Sequence, residues 1–231
     1  MNEPLIAQDQ SSATAVQRWY APAVLANQLV MARRWAKPFL AYNLTIRADP
    51  EGAAALSAVQ DEVALREPGL LRLPAHALHT TAAFLLPGSS EFDHPKDELW
   101  HQHGASWLAQ LADLAAGTPR FVLRFRRLVV TDVAMIAVAE EPNELSAFRR
   151  RLLRVMDLPG NCHRYDLVHT TLFRYSAPLA DPEALLKWTA EADMHAEFDV
   201  TELVVARENT FPFLGYDVLR RFELPSASLA S

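Results

Sequence analysis

The chain has 231 residues, of which 50% are hydrophobic and 22% are charged, and its formal net charge is −6 at pH 7. This balance is typical of a globular protein, and the negative net charge argues against a protein that grips long nucleic acid through its backbone phosphates. The single cysteine, Cys162, excludes an intramolecular disulfide. The first residues lack the basic and apolar segments of a signal peptide, and the most apolar N-terminal stretch is too short to span a bilayer, so we expect a soluble cytoplasmic protein.

Hydrophobic periodicity, prolines and glycines divide the rest of the chain into alternating helices and strands. Residues 1–16 are polar, so we expect a flexible tail followed by one domain over residues 17–231. A first helix near Pro22 is predicted to run to about Trp35. The strands predicted after it are 39–46, 77–86, 120–130, 133–139, 166–174, 198–206 and 216–223. The helices predicted between them are 51–66, 96–116, 143–157 and 182–195.

One short pattern occurs twice in this series. Residues 78–84 read Leu-His-Thr-Thr-Ala-Ala-Phe, and residues 168–174 read Val-His-Thr-Thr-Leu-Phe-Arg. Because residues i and i+2 of a strand face the same way, each copy projects one imidazole and one hydroxyl from one face. A strand-helix-strand unit carries the motif in each half, so we interpret the chain as a pseudo-repeat whose halves each supply one motif strand to a shared cleft.

Two imidazoles and two hydroxyls around one point suit proton transfer at a phosphate. The ordinary pKa of histidine, about 6.5, lets one neutral ring accept a proton while a protonated ring donates one. Threonine hydroxyls donate hydrogen bonds to non-bridging phosphate oxygens. This chemistry requires neither metal nor cofactor, and the sequence shows no Walker-type loop and no cysteine–histidine ligand set.

The two motifs resemble the paired His-x-Thr/Ser motifs of the two-histidine phosphoesterase superfamily, which includes RNA 2′,3′-cyclic phosphodiesterases and the so-called 2′-5′ RNA ligases. The resemblance covers roughly residues 38–223, and its first copy departs mildly at Ala82-Ala83. It implies an α+β, bilobed fold with two antiparallel-rich sheets around a central cleft and helices on the outside. It also implies that His79 and His169 are general base and acid, in an order left open, and that Thr81 and Thr171 bind the phosphate.

Further side chains are candidates for substrate contacts. Regular alternation after the second motif puts Phe173 on the cleft face and Arg174 on the opposite face, and returns Tyr175 to the cleft rim as a phosphate or base contact, or else an edge residue. The aromatic candidates for stacking on a base are Phe39, Tyr42, Phe211 and Phe213, with core packing as the alternative. Arg207 is either a phosphate contact or half of a salt bridge.

Basic residues cluster twice outside the motifs, and we prefer a solvated face to an RNA track as their interpretation. They are Arg124, Arg126 and Arg127 in one segment and Arg149, Arg150, Arg151 and Arg154 in another. We interpret His76 and His163 as rim or solvated residues, with positive potential at the cleft mouth from His163 and Arg164 as the alternative.

The leading hypothesis is a monomeric, metal-independent phosphodiesterase that acts on a nucleotide or short oligonucleotide. Its substrate would be a 2′,3′-cyclic nucleotide, a cyclic phosphate end or a 2′-5′ linkage. A non-catalytic nucleotide-binding module on the same fold is the alternative. A structural protein in which both motifs are packing elements is a third hypothesis.

Overall fold

A computed structural model describes residues 13–159 and 167–226. Cys162 and His163 lie outside these ranges, as does most of the predicted N-terminal tail. The helices are α1 (Ala13–Leu25), α2 (Pro50–Arg66), α3 (Lys96–Ala116), α4 (Asn143–Val155) and α5 (Pro182–Glu191). The strands are β1 (Pro38–Arg47), β2 (Leu70–Arg72), β3 (His79–Leu86), β4 (Phe121–Val130), β5 (Ala134–Ala139), β6 (Val168–Tyr175), β7 (Ala196–Val200), β8 (Glu202–Thr210) and β9 (Gly215–Glu223).

Helices α2 and α5 begin with the same tripeptide, Asp-Pro-Glu, in the two halves of the chain. The carboxylate of Asp49 accepts a hydrogen bond from the N–H of Gly52 at 2.6 Å, and that of Asp181 accepts one from Ala184 at 2.9 Å. Proline at the first helical position and an aspartate cap are both favoured at helix N-termini, where backbone N–H groups lack partners within the helix. Local sequence therefore sets both helix starts.

The strands form one curled antiparallel sheet in the order β7-β4-β5-β6-β3-β1-β8-β9, with β2 paired to β6. The first four strands of this order lie on the side of the second motif strand. The last four lie on the side of the first motif strand, where β8 and β9 return from the end of the chain to extend β1. The predicted α+β class is confirmed, and the two predicted sheets are continuous where β3 meets β6.

That junction is a pair of buried threonines at the middle of the two motifs. Thr80 and Thr170 are register partners, and their hydroxyls hydrogen-bond to each other at 2.8 Å. Thr80 is 1% exposed and Thr170 is fully buried, so neither hydroxyl can hydrogen-bond to bulk water. Each hydroxyl is instead the hydrogen-bond partner of the other. The central threonine of each motif thus joins the two halves of the sheet.

The main hydrophobic core lies on the sheet face that carries Thr80 and Thr170, and residues of α2, α3, α4 and α5 pack into it. A smaller cluster on β4 and β5 covers the other face near one end, where Ala13 and Val16 of α1 pack against Ile136 and Val138. Within the described ranges, every helix is too short or too polar to cross a bilayer.

Three departures from the predicted elements are larger than a shift of an element's end by a few residues. Strand β2 was not predicted, since three residues are too few to show a periodicity. The predicted strand 198–206 is two strands, β7 and β8, separated at Thr201. Helix α1 begins at Ala13 and contains Pro22 in its interior, so it starts and ends earlier than predicted.

Candidate active site

The two motif histidines have the same local geometry. The Nδ1 of His79 lies 2.8 Å from the carbonyl oxygen of Ala77, and the Nδ1 of His169 lies 3.2 Å from that of Leu167. Because a carbonyl can only accept, each Nδ1 carries the proton when the ring is neutral, which places the lone pair of each ring on Nε2. Both rings are therefore held in the tautomer that presents a base.

The pairing of Thr80 with Thr170 decides how the flanking side chains face one another. In an antiparallel pair with this register, His79 lies opposite Thr171 and Thr81 lies opposite His169. These four side chains are half-buried, whereas Thr80 and Thr170 between them point into the core. This register sets the imidazole of each motif toward the threonine hydroxyl of the other motif.

Burial lowers the pKa of both histidines. Desolvation is the largest cause for His79, whose pKa falls to about 4 against the opposing effect of its hydrogen bond to Ala77; nearby positive charges lower it further. His169 has its pKa shifted in the same direction, first by desolvation and then by Arg174 and Arg149. Both rings are therefore neutral at pH 7 before an anion binds.

A β-bulge changes which residues of β6 face the cleft. Ile136 pairs with Thr171 but Met135 pairs with Phe173, so β6 has one extra residue at Leu172. Beyond the bulge the alternation is reversed. Phe173 packs in the core, and Arg174 shares the side of the histidines, whose pKa values its charge lowers. The predicted placement of Arg174 on the opposite face was wrong, because regular alternation does not survive a bulge.

The same bulge also turns Tyr175 away from the face of the histidines. Its side chain is fully buried in the core, and its hydroxyl donates to the carbonyl oxygen of Thr131 at 2.6 Å. The prediction that Tyr175 reaches the cleft rim was wrong. This hydrogen bond stabilises the turn between β4 and β5.

Arg174 lies beside an aromatic pair that the sequence did single out. Its guanidinium carbon is 5.4 Å from the centre of the Phe211 ring, and that ring meets Phe39 edge-on at 5.1 Å. Phe39 and Phe211 are both partly exposed. Burial lowers the pKa of Arg174, opposed by the charge of Glu208. Its Nε has no hydrogen-bond partner within the described parts of the chain. Arg174 therefore brings a guanidinium with an unused donor to the side of the sheet that carries the histidines.

Tyr42 and Arg207 lie on the other face of the sheet. Tyr42 is 2% exposed, stacks on Trp100 of α3 at 4.5 Å, and donates its hydroxyl proton to Asp97. Arg207 binds the same carboxylate through two nitrogens, at 3.0 and 3.2 Å. The predictions that Tyr42 and Arg207 contact the substrate were therefore wrong, and the salt-bridge alternative for Arg207 is confirmed. Strand parity alone could not separate the two faces, because β1 carries register shifts on both of its edges.

The basic residues do not form one track. Arg124 and Arg126 pair with Glu197, at 3.5 and 2.5 Å. Arg149 is 5% exposed, pairs with Glu141 at 2.9 Å, and donates to the carbonyl oxygens of Thr81 and Ala82 at 3.0 and 2.9 Å. Arg149 therefore supports the first motif strand just past the threonine junction, which the sequence did not indicate.

Two buried polar residues were not among the predicted candidates. Asn43 and Glu208 are buried and face each other, with the amide nitrogen 3.5 Å from a carboxylate oxygen. Phe213, considered only for base stacking, packs on the ring of His79 at 3.9 Å between centroids. Asn43 and Glu208 carry only one sequence signal, an alternation of polar and core residues along a strand, which is too common to be diagnostic. In residues 13–159 and 167–226, no group of three or more histidine, cysteine or acidic side chains is placed to hold a metal ion.

Neither a protein-family model nor a curated protein sequence matches this chain. Solved structures with the same fold do match. The protein TT0787 of Thermus thermophilus is 23% identical with a TM-score of 0.59, over 81% of this chain and 99% of that one. E. coli LigT complexed with 3′-AMP is 14% identical with a TM-score of 0.54, over 82% and 100%. A protein described as a phosphoesterase is 16% identical with a TM-score of 0.55, over 82% and 100%. The chain therefore has the fold of these structures, as the paired motifs predicted.

Proposed function

We propose that this chain is a two-histidine phosphodiesterase that opens a cyclic phosphate or cleaves a 2′-5′ linkage without a metal ion. The observation that carries the proposal is the matched pair of imidazoles. His79 and His169 come from adjacent strands, and each has its Nδ1 bonded to a backbone carbonyl and its lone pair on Nε2. A pair of rings prepared in the same way on one face suits a reaction that needs one proton acceptor and one proton donor.

The proton transfers follow from this arrangement. A water molecule attacks phosphorus while one neutral Nε2 takes its proton. The bond from phosphorus to a ribose oxygen breaks, and the second imidazole, now protonated, gives its proton to that oxygen. Both rings are neutral before the substrate binds, so the acid must gain its proton on binding. The negative charge of a phosphate between the rings favours that gain, because an opposite charge nearby raises the pKa of an imidazole.

Three donors are available for the phosphate oxygens. Thr81 and Thr171 each present a hydroxyl between the imidazoles in the pairing scheme. The guanidinium of Arg174 adds a half-buried positive charge that acts on both histidines. Donors placed before the reaction in a site with little water stabilise charge that develops on the oxygens.

The substrate class we favour is a nucleotide or short oligonucleotide. Phe39 and Phe211 form a partly exposed aromatic pair next to Arg174, where a base attached to the bound phosphate has a surface to stack on. E. coli LigT, which shares the fold, has been solved with 3′-AMP. The net charge of −6 disfavours long RNA.

A non-catalytic nucleotide-binding module remains the main alternative. The hypothesis that the motifs are mere packing elements fits less well, since both imidazoles share one face and keep partial exposure, while Thr80 and Thr170 do the packing.

The direct test is a substrate panel assayed with EDTA present. We expect the purified protein to open 2′,3′-cyclic nucleotides or to cleave 2′-5′ dinucleotides, and to leave 3′-5′ dinucleotides intact. Phosphorus NMR identifies the product's phosphate position. Turnover that appears only after a divalent cation is added would contradict metal independence, and calorimetric binding without turnover of any member would favour the binding module.

The lowered pKa values of His79 and His169 predict an acid-shifted pH profile. A ring with a lowered pKa loses its proton at a lower pH, so the protonated acid becomes scarce as the pH rises. We expect kcat/KM to peak below pH 6.5 and to fall toward pH 8 by up to about tenfold per unit. Because bound phosphate raises the pKa of the acid, kcat should persist to higher pH than kcat/KM. Initial rates from pH 4.5 to 8.5 measure both, and a kcat/KM that rises across this range would contradict the assignment.

A further inference from the structure

The imidazole of His79 is one end of a stack of side chains. Its ring lies 3.9 Å from that of Phe213, at an interplanar angle of 27°. The ring of Phe213 also stacks on Tyr216 at 4.4 Å, and the guanidinium of Arg47 caps Tyr216 at 4.5 Å. The hydrogen bond to Ala77 holds one edge of the histidine ring, and Phe213 covers a face of it. Together they restrict the direction of Nε2.

Phe213 occupies this position in an unfavourable backbone conformation. Its φ is 60°, in the left-handed region that bulky residues rarely adopt. A phenylalanine stays there only where surrounding contacts hold it. The turn between β8 and β9 therefore needs an anchor.

Glu208 supplies that anchor from within β8. One of its carboxylate oxygens accepts a hydrogen bond from the backbone N–H of Phe213 at 2.7 Å, and the other faces the amide of Asn43 at 3.5 Å. Glu208 is 6% exposed, and burial raises its pKa to about 7, opposed by the Phe213 N–H and the charge of Arg174. A buried carboxylate is costly, and such groups are concentrated at functional sites.

We propose that Glu208 is a positioning residue for His79: its side chain fixes the turn at Phe213, and the fixed phenylalanine ring holds the imidazole with Nε2 directed into the cleft. The proposal rests on the proposed function, since the value of a fixed Nε2 lies in proton transfer. The charge of the same carboxylate acts on Arg174, so one side chain connects the catalytic ring with the phosphate donor.

Two substitutions of Glu208 distinguish the effect of its hydrogen bond to Phe213 from the effect of its negative charge. Glu208→Gln keeps an oxygen that accepts from Phe213, and Asn43 can rotate its amide to accept from the new NH₂ group. Glu208→Ala removes the acceptor. We expect Glu208→Gln to keep kcat within about threefold of wild type and Glu208→Ala to lower it about 30-fold, with KM changed less than kcat. Glu202→Gln is the matched control, because Glu202 lies on the same strand but pairs with Arg221 at the surface.

A double-mutant cycle tests whether Glu208 acts through Phe213. If it does, Glu208→Ala and Phe213→Ala should lower kcat by similar factors, and the double variant should be no slower than the slower single variant. If the loss of kcat in the double variant equalled the product of the two single losses, the residues would act independently and the proposal would be overturned. Equal losses in Glu208→Gln and Glu208→Ala would overturn it as well, since charge and not the anchor would then be decisive.

An NMR titration of His79 gives a readout that does not depend on turnover. In wild type and Glu208→Gln, the ring protons of His79 should show the ring-current shift of Phe213 and a pKa far below 6.5. In Glu208→Ala, the ring-current shift should be lost, and the pKa should rise toward 6.5 as water enters. If wild-type protein turned over no substrate, the proposed function would be rejected, but the NMR titration would still test the positioning of His79. An unchanged His79 in folded Glu208→Ala would overturn the positioning role.

Discussion

Replacing His79 or His169 with alanine is expected to lower kcat by about 10²- to 10⁴-fold in each single variant. The range is that of one proton-transfer role in general acid–base catalysis. The two roles belong to one reaction step, so the double variant should be little slower than the slower single variant. Steady-state kinetics measures kcat for both single variants and the double variant, on the best substrate of the panel assayed with EDTA.

His195→Ala is the control for these variants. His195 is exposed and pairs with Asp193 at 2.9 Å in the connection between α5 and β7, outside the cleft. Its loss removes an imidazole of the same size and should leave kcat unchanged. Normal turnover in both His79→Ala and His169→Ala would reject the two-histidine assignment.

Replacing Arg174 with alanine is the second substitution with a large expected effect. A hydrogen bond to a charged group is worth about 1.5–3 kcal/mol, so we expect kcat/KM to fall roughly 10- to 150-fold, through a lower kcat as well as a higher KM. Arg174→Lys keeps the charge but not the planar pair of donors, and its loss should be smaller.

Thermal unfolding distinguishes this role from a structural one. The desolvation cost of Arg174, whose Nε has no partner within the described residues, opposes its attraction to Glu208, so its removal should change Tm little. Arg126→Ala, which breaks an ion pair with Glu197 on β7, is the control and should leave KM unchanged. A fall in Tm with an unchanged KM would assign Arg174 to the fold instead of the phosphate.

Most elements and the central pair could be predicted because their signals are local. Asp-Pro-Glu at the starts of α2 and α5 combines a cap with a favoured first residue, and both helices are observed there. The spacing of His79 with Thr81 and of His169 with Thr171 places each pair on one face of one short strand. Repetition of that spacing in both halves predicted that the two motif strands come together, and they pair at Thr80 and Thr170. The α+β fold followed from the family resemblance that the two motifs carry.

The tertiary structure alone decided which further side chains reach the cleft. An unpaired strand gives no sign of the bulge at Leu172, which exchanges Arg174 for Tyr175, because a bulge exists only relative to the partner strand. Tyr42 and Arg207 look like ligand contacts until α3 supplies Asp97 as their partner.

The contacts from Glu208 through Phe213 to His79 join the β8–β9 turn to the first motif strand, and they depend on a turn whose conformation is held by its surroundings. The alternation of side chains along one strand determined which residues of each motif share a face, because it needs only the geometry of that strand. Long-range pairing set everything that surrounds them, because a side chain's neighbours across a sheet come from other strands.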